Sequence, residues 1–195
     1  MASCVRASTQ PPSFSGATHN DVLSGHLLSG VVAALGPISS LTSTTSILYP
    51  DIKLLDGTNQ LTGKTATRHN PDQIAFTGTL ASGGTVVLQI ATGASSTVKG
   101  HNPFRWTVVG EKGTVEATAE SFLFTMAPAK ITVNGEPWEH EYEWNSVIGP
   151  VQRAWDEFAK GKEGEYATFE DAIKLHKIVD AIEVSGRDGV RVSIN

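Results

Sequence analysis

The stretch from Ile74 to Ile90 carries the pattern that most restricts what this chain can fold into. Apolar positions alternate with polar or small ones along Ile74–Leu80, and apolar residues recur at every second position from Val86 to Ile90. Between them stands the Ser-Gly-Gly segment 82–84, whose glycines adopt the backbone angles of a tight turn without steric cost. Alternation of period two places every second side chain on the same side of a strand. The pattern therefore predicts a β-hairpin with one buried face, and with it an antiparallel sheet.

Further strands follow from the same kind of reasoning. Arg105–Val109 and Thr114–Thr118, joined by a Gly-Glu-Lys-Gly segment, predict a second hairpin. Shorter strands are predicted at four places: Ile38–Leu48, Ser121–Thr125, Lys130–Val133 and Val190–Ile194. The polar segment Pro50–Pro71 is rich in turn-forming residues and predicts a long loop.

Helices are predicted where apolar residues recur at steps of three and four. Residues 20–35 form one such segment, and Asn20 or Asp21 can cap its start. Val147–Ala159 forms another, and a last helix begins at a capping-box sequence, residues 168–171, and is expected to end before Gly186. One helix, a run of strands and then two helices predict an α+β fold, an open, mostly antiparallel sheet with helices packed on one face.

The bulk composition excludes several classes of partner. The chain has 195 residues, a formal net charge of −5 and no run of Lys or Arg, which argues against nucleic acid and anionic membranes. No apolar run is long enough to span a bilayer, so we expect a soluble, cytoplasmic protein. The single cysteine, Cys4, excludes an internal disulfide. Residues 1–18 are expected to be a disordered or loosely attached lead-in to one domain over residues 19–195.

His26 is the strongest candidate for a functional side chain. It sits inside the apolar face of the helix predicted over residues 20–35, and an imidazole can exchange a proton near neutral pH. The alternative is a core histidine whose ring nitrogens find partners within the fold. A carboxylate four residues earlier would share its helix face, but that position is Val22, and Ser29 is the nearest polar residue on that face.

Motifs for binding a cofactor or a metal are missing. No Gly-x-Gly-x-x-Gly segment follows a strand and opens a helix, and no P-loop segment occurs. The six histidines do not fall in a His-Glu-x-x-His or similar metal-binding spacing. We therefore do not expect the chain to bind a dinucleotide or a metal by itself.

Four segments, taken in order, make the chain resemble the C-terminal domain of the glucose–fructose oxidoreductase/inositol dehydrogenase (Gfo/Idh/MocA) family. They are the helix that begins Gly-His-Leu-Leu at Gly25, the strand Ile74–Leu80, the turn Val109–Thr114 and the terminal helix Asp171–Glu183. The sequences of these segments are most similar to those of fungal members, which include the galactose-regulon repressor type. The resemblance covers about residues 19–194, nearly the whole chain.

The resemblance implies an NAD- or NADP-dependent oxidoreductase of sugars, polyols or related small molecules. In such proteins a Rossmann domain holds the cofactor, and the C-terminal domain supplies a proton-handling histidine, whose position His26 matches. The family also implies a homo-oligomer formed through the exposed face of the sheet. Because no Rossmann domain is found in the sequence, activity of the chain alone is not expected. A truncated gene model, a fragment, and a chain that acts with a separate Rossmann-containing partner all remain open.

Two departures from the family pattern keep a second function open. The family's Asp four residues before the histidine is Val22 here, and the frequent Asp three residues after it is Ser29. Repressor-type members, which do not catalyse, depart from the enzyme pattern as well. The candidates are thus an NAD(P)-dependent dehydrogenase with His26 as acid/base, and a non-catalytic regulatory or protein-binding module of the galactose-repressor type.

Overall fold

The hairpin predicted over residues 74–90 is confirmed, and it lies within a four-stranded antiparallel sheet. The computed structural model describes residues 4–6, 18, 20–92, 103–120, 129–139 and 148–194. In chain order, the elements are β1 (Cys4–Arg6), a π-helical turn (Asn20–Ser24), α1 (Gly25–Leu35), β2 (Ile38–Ser46), β3 (Asp51–Leu55), β4 (Leu61–Thr67), β5 (Gln73–Leu80), β6 (Thr85–Ala91), β7 (Phe104–Gly110), β8 (Gly113–Ala119), β9 (Lys130–Val133), β10 (Glu136–Pro137), α2 (Ile148–Ala159), a 3-10 turn (Gly161–Glu163), α3 (Phe169–Asp188) and β11 (Val192–Ser193).

The chain divides into two compact units. The first contains residues 1–94 and 167–195, and the second contains residues 95–166. The first unit holds a sheet of order β11-β2-β5-β6 and a smaller one of order β1-β3-β4, in which only β1 and β3 run parallel. The second unit holds an antiparallel sheet of order β10-β9-β8-β7 and helix α2. The predicted α+β class with a mostly antiparallel sheet is confirmed.

The core of the first unit lies on one face of its larger sheet. Alternate residues of β2, β5 and β6 point to this face, and helices α1 and α3 contribute the facing side chains. The cluster of buried residues consists of Leu28, Ile38, Leu41, Ile74, Phe76, Leu80, Ile90, Ile178, Ala181 and Ile182. The opposite face carries no helix among the described residues, and most of its side chains are exposed. The expected arrangement of helices on one face of an open sheet is thus confirmed.

Helix α3 is tied to β2 by two buried serines. The Ser43 backbone N–H donates to the Ser185 hydroxyl at 2.8 Å, and the Ser43 hydroxyl donates to the Ile182 carbonyl at 2.5 Å. The Ser185 hydroxyl in turn donates to the Val190 carbonyl at 2.6 Å. The short strand β11 pairs only with residues 40 and 41 of β2, so Ser185 takes over the edge of β2 at Ser43, which lies beyond the start of β11.

The end of α3 differs from the prediction that Gly186 would follow the helix. The helix continues to Asp188, and Gly189 ends it with a left-handed backbone. Gly186 lies inside the helix, against Thr45 of β2. Its role is to let the helix approach the strand closely, which is a packing role that local sequence does not reveal.

The prediction of a long loop over Pro50–Pro71 is wrong. This segment contains the hairpin formed by β3 and β4, with Asp51 opposite Thr67. Its base is held by Asp72, which is buried and accepts bonds from the backbone N–H groups of Leu48 (2.8 Å) and Tyr49 (2.9 Å). A buried ion pair joins Asp72 to Arg68 at 3.5 Å. Burial raises the pKa of Asp72, but the backbone donors, Gln73 and the Arg68 guanidinium outweigh it, so the pKa is lowered.

Several other predicted elements are present with adjusted bounds. The second hairpin is formed by β7 and β8, and the strand at residues 130–133 is β9. The strand predicted at residues 121–125 lies outside the described residues. Helix α2 is present, but three apolar residues on its predicted face are exposed: Val151, Trp155 and Phe158. Within the expected lead-in, residues 4–6 form strand β1.

We predict that Gly186→Ala destabilises the protein. A Cβ at this position would lie 2.8 Å from Cγ2 and 2.9 Å from Oγ1 of Thr45, closer than side chains pack. Urea unfolding at pH 7 should show a loss of about 2 kcal/mol. The matched control is Gly25→Ala, another helical glycine, whose Cβ would have nothing within 4 Å. That variant should be neutral or up to about 1 kcal/mol more stable; equal losses in both variants would contradict the packing account.

We predict that Asp72→Asn destabilises the protein in a pH-dependent way. Because the pKa of Asp72 is lowered by folding, its ionised form adds stability above the ordinary carboxyl pKa, and this stability is lost as pH falls toward the folded value. Removing the charge should cost about 3 kcal/mol at pH 7, since Arg68 remains buried without its ion-pair partner. Unfolding experiments between pH 7 and pH 3 should show the difference from wild type shrinking in acid, whereas Asp180→Asn, at an exposed site, should show no such trend.

Candidate functional site

The helix that carries His26 begins with a π-helical turn. Residues 20–24 form this turn, and α1 continues it from Gly25. Thr18 caps the start, since its hydroxyl accepts from the Asp21 N–H at 3.1 Å while the Asp21 carboxylate accepts from the Thr18 N–H at 2.9 Å. The cap is therefore Thr18, with Asp21 as its reciprocal partner, rather than Asn20 or Asp21 as the sequence suggested.

The face of this helix that is buried is not the apolar face inferred from the spacing of its residues. Ser24, Leu28 and Val31 are the buried positions, separated by four and three residues. The exposed positions, which we call the His26 stripe, recur at the same steps on another side: Val22, His26, Ser29 and Ala33. His26 is thus exposed in this structure, and the prediction that it sits within the buried apolar face is wrong. The alternative of a core histidine does not fit an exposed ring either.

The immediate surroundings of His26 are weakly polar. The Ser29 hydroxyl donates to the His26 backbone carbonyl at 2.8 Å, so it is bonded to the main chain rather than to the ring. Among the residues that the structure describes, none forms a hydrogen bond or an ion pair with the imidazole. Val22, 43% exposed, lies one turn before it where a carboxylate would have oriented the ring.

The arrangement offers a small set of chemical possibilities. An exposed imidazole on a stripe of small side chains can accept or donate one proton to a molecule that lies against the helix. Asp21, the nearest carboxylate in sequence, is engaged by Thr18 and completes the cap. General acid/base work by His26 therefore requires that an orienting partner come from a group that binds against this stripe.

The remaining histidines do not add to this site. His69 and His176 are exposed, and His19, His101 and His140 lie outside the described residues. In the described ranges, no three His, Cys, Asp or Glu side chains lie close enough together to hold a metal ion. No helix in the same ranges is long and apolar enough to cross a membrane.

The described residues do not fit a dinucleotide. A Rossmann-type site needs a glycine-rich turn that follows a strand and opens a helix, so that backbone N–H groups meet the phosphates. Glycines with positive φ do occur in the described part of the chain, but they lie within strand β4, in hairpin turns or after helices. Helix α1 instead follows the π turn, whose buried positions are Asn20 and Ser24. Among the described residues, no glycine-rich turn of this kind opens a helix.

Sequence reasoning missed the role of Asn20. Its amide Nδ2 donates to the Val179 carbonyl (3.2 Å) and to Glu183 Oε1 (3.4 Å), which ties the first turn to α3. The only signal in the sequence was a polar residue near a helix start, and that signal predicts a cap equally well. A contact between residues 159 positions apart is not visible in a local pattern.

Comparisons with known proteins agree with this architecture. The model of a family described as "Gal80p, C-terminal domain" matches residues 12–119. Among curated proteins, the dehydrogenase aclE of Aspergillus oryzae is 26% identical over an alignment of 181 residues, and the match covers 89% of this chain and 48% of that protein. The chain thus spans about half the length of this relative.

Solved structures show the same fold. Gal80p from Saccharomyces cerevisiae, in a super-repressor mutant, superimposes with a TM-score of 0.80 at 17% identity, over 95% of this chain and 53% of that one. Levoglucosan dehydrogenase, in complex with NADH and L-sorbose, gives 0.70 at 14% identity, over 94% and 52%. An NAD-binding oxidoreductase from Klebsiella pneumoniae gives 0.64 at 16% identity, over 88% and 49%. The predicted resemblance to the C-terminal domain of the oxidoreductase family, with fungal relatives, is confirmed.

Proposed function

Because this chain belongs to the Gal80p C-terminal domain family, we propose that it is the substrate and assembly half of an NAD(P)-dependent oxidoreductase-type protein. In this proposal the His26 stripe lies against a dinucleotide-binding domain, supplied by the rest of the same polypeptide or by a separate chain. The observation that carries the proposal is the exposed imidazole of His26 on a fold shared with NADH-binding dehydrogenases. The half-length match to a curated dehydrogenase supports it.

The chemistry assigned to this chain is a proton transfer. Oxidation of an alcohol removes a hydride from carbon and a proton from oxygen, and the dinucleotide on the other domain supplies the hydride acceptor. His26 takes the hydroxyl proton at a ring nitrogen and returns it in the reverse direction. The small side chains of Ser29 and Ala33 leave room for a substrate, such as a sugar or a polyol, against the helix.

A second candidate function is a non-catalytic regulatory module of the repressor type. It is favoured by the absence, among the described residues, of any carboxylate bonded to the His26 ring, and by Val22 at the position of the family's aspartate. The transcriptional regulator Gal80p from Kluyveromyces lactis superimposes with a TM-score of 0.76 at 18% identity. Both candidates use the same stripe for contact with the other domain, and they differ in whether a proton is moved.

Homo-oligomer formation is proposed through the open face of the sheet in the first unit. Its strands present small, uncharged side chains there: Ser40, Thr42, Thr44 and Ser46 on β2, Gln73, Ala75, Thr77 and Thr79 on β5, and Thr85, Val87, Gln89 and Ala91 on β6. Thr77 stands opposite Thr42 and Val87 at the middle of the face, and Val87 is 74% exposed. The Arg191 guanidinium lies at one end of this face, where it donates to the hydroxyls of Ser40 (2.7 Å) and Thr79 (2.8 Å). Away from that end these strands carry no charged side chain, so a second sheet can pack there without burying an unpaired charge.

The catalytic candidate is tested with His26→Gln. The chain is joined to, or coexpressed with, the other half of the Aspergillus oryzae dehydrogenase, and reduction of NAD or NADP is followed with a panel of sugars and polyols. If His26 moves the proton, kcat should fall by at least about 100-fold, while His176→Gln, at an exposed histidine on α3, should leave it unchanged. Turnover that survives His26→Gln would remove the catalytic role, and an assembly that binds NAD(P) without turnover supports the regulatory module.

The oligomer is tested with Thr77→Lys. A lysine at the middle of the open face would have to be buried against a second copy, so dimers seen by sedimentation velocity should become monomers. Thr67→Lys is the matched control, because Thr67 is exposed on β4 of the smaller sheet and should leave the dimer intact. A monomeric wild-type chain at micromolar concentration, or a dimer unaffected by Thr77→Lys, would rule out this face.

A further inference from the structure

The turn between β9 and β10 consists of an asparagine followed by a glycine. Asn134 and Gly135 are both exposed, and both have a positive φ, 53° and 85°. A two-residue hairpin turn favours this pair, because both central residues need that backbone conformation. No other asparagine in the sequence is followed by a glycine. The pair suits the turn, and it also places an amide side chain next to an unhindered backbone nitrogen.

The two nitrogens that could react at this turn are not engaged in hydrogen bonds. Among the described residues, neither the Gly135 N–H nor Asn134 Nδ2 forms one, whereas Asn134 Oδ1 accepts from the Thr114 N–H at 2.9 Å. Strand β10 pairs over Glu136 and Pro137 alone, and a proline has no N–H to donate, so a short ladder holds this side of the turn. Gly135 also has no side chain to hinder the approach of its nitrogen to Asn134 Cγ.

We propose that Asn134 is a modification site, at which the chain rearranges to isoaspartate. The Gly135 nitrogen bonds to Asn134 Cγ and gives up its proton, the Cγ–Nδ2 bond breaks, and Nδ2 leaves with that proton as ammonia. Water then opens the cyclic imide. Opening at Cγ gives aspartate, whereas opening at the main-chain carbonyl carbon gives isoaspartate, in which the main chain runs through Cβ and Cγ. The rearrangement consumes water, releases ammonia and changes no oxidation state.

The contacts of Asn134 show what this rearrangement would undo. Its backbone N–H donates to the Thr114 carbonyl at 2.8 Å, while its side-chain oxygen accepts from the Thr114 N–H, so both groups fasten the turn to β8. The side chain lies directly on Gly113, where a Cβ would come within 2.8 Å of Nδ2. Isoaspartate adds a methylene to the main chain and leaves a carboxylate directly on Cα, so this pair of bonds cannot persist. We therefore expect the end of the β8–β9 ladder to open.

The other asparagines provide comparisons within the same chain. Asn59 is exposed and also has a positive φ, 64°, but the larger Gln60 follows it. Asn70 and Asn102 precede prolines, which have no N–H and cannot attack the side chain in this way. Asn59 is thus the matched control, because it shares the exposure and the backbone conformation of Asn134 and differs in the residue that follows.

The site is tested on the full wild-type chain, incubated at pH 8 and 37 °C. Peptide mass spectrometry should show loss of the Asn134 amide at least about five-fold faster than loss of the Asn59 amide, because glycine hinders ring closure least. The product should accept a methyl group from S-adenosylmethionine in the presence of a protein isoaspartate methyltransferase. Asn134→Asp, incubated for the same time, should accept far less. Equal rates at Asn134 and Asn59, or a product that is not methylated, would overturn the assignment.

The effect on the sheet is tested by hydrogen exchange of the Thr114 amide. Its exchange should be about ten-fold faster in the isoaspartyl chain and in Asn134→Ala, which corresponds to the loss of one hydrogen bond. Asn134→Asp keeps an oxygen acceptor on the normal backbone and should retain the protection. Unchanged exchange of Thr114 in the isoaspartyl chain would show that the modification leaves the ladder intact. Because that measurement uses the wild-type sequence, a variant that fails to fold does not affect the outcome.

Discussion

The packing of helix α3 across strand β2 is the contact on which the first unit depends. It combines apolar burial around Ile182 and Leu41 with the bonds of Ser43 and Ser185, which satisfy polar groups where β11 stops. Close approach is possible because Gly186 has no side chain to meet Thr45. Since hydrogen bonds of this kind are strongly directional and the core is densely packed, helix and strand are held in one relative position.

This one-sided packing produces the two surfaces to which we assign functions. Helices α1 and α3 cover one face of the sheet, so the other face remains open and presents mostly uncharged side chains, with Arg191 bonded to Ser40 and Thr79 at one end. On the helical side, α1 buries Leu28 and Val31 and turns His26 outward. We propose the open face for assembly of identical chains and the His26 stripe for contact with a dinucleotide-binding domain.

Local patterns predicted the elements whose signals lie within a few residues. The hairpin over residues 74–90 could be recognised because alternation and turn glycines act over short distances, and the capping box at Thr168 for the same reason. The hairpin of β3 and β4 could not, because β4 is mostly exposed and polar and the base of the hairpin depends on Asp72. Of the candidate site, the sequence identified His26, but it did not predict the exposure of the ring.

The sequence by itself determined the class of fold, the family and the residue at the centre of the candidate site. It did so because side-chain periodicity, caps and turns depend on residues that are close in the sequence and can be recognised from it directly. Only the tertiary structure decided that Asp72 anchors a hairpin, that Gly186 lies inside a helix, and that Asn20 ties the first turn to α3. Some of these contacts join residues that are distant in the chain, and others depend on which face of an element is buried. The spacing of hydrophobic residues specifies neither the distant partner nor the buried face when several faces of an element are apolar.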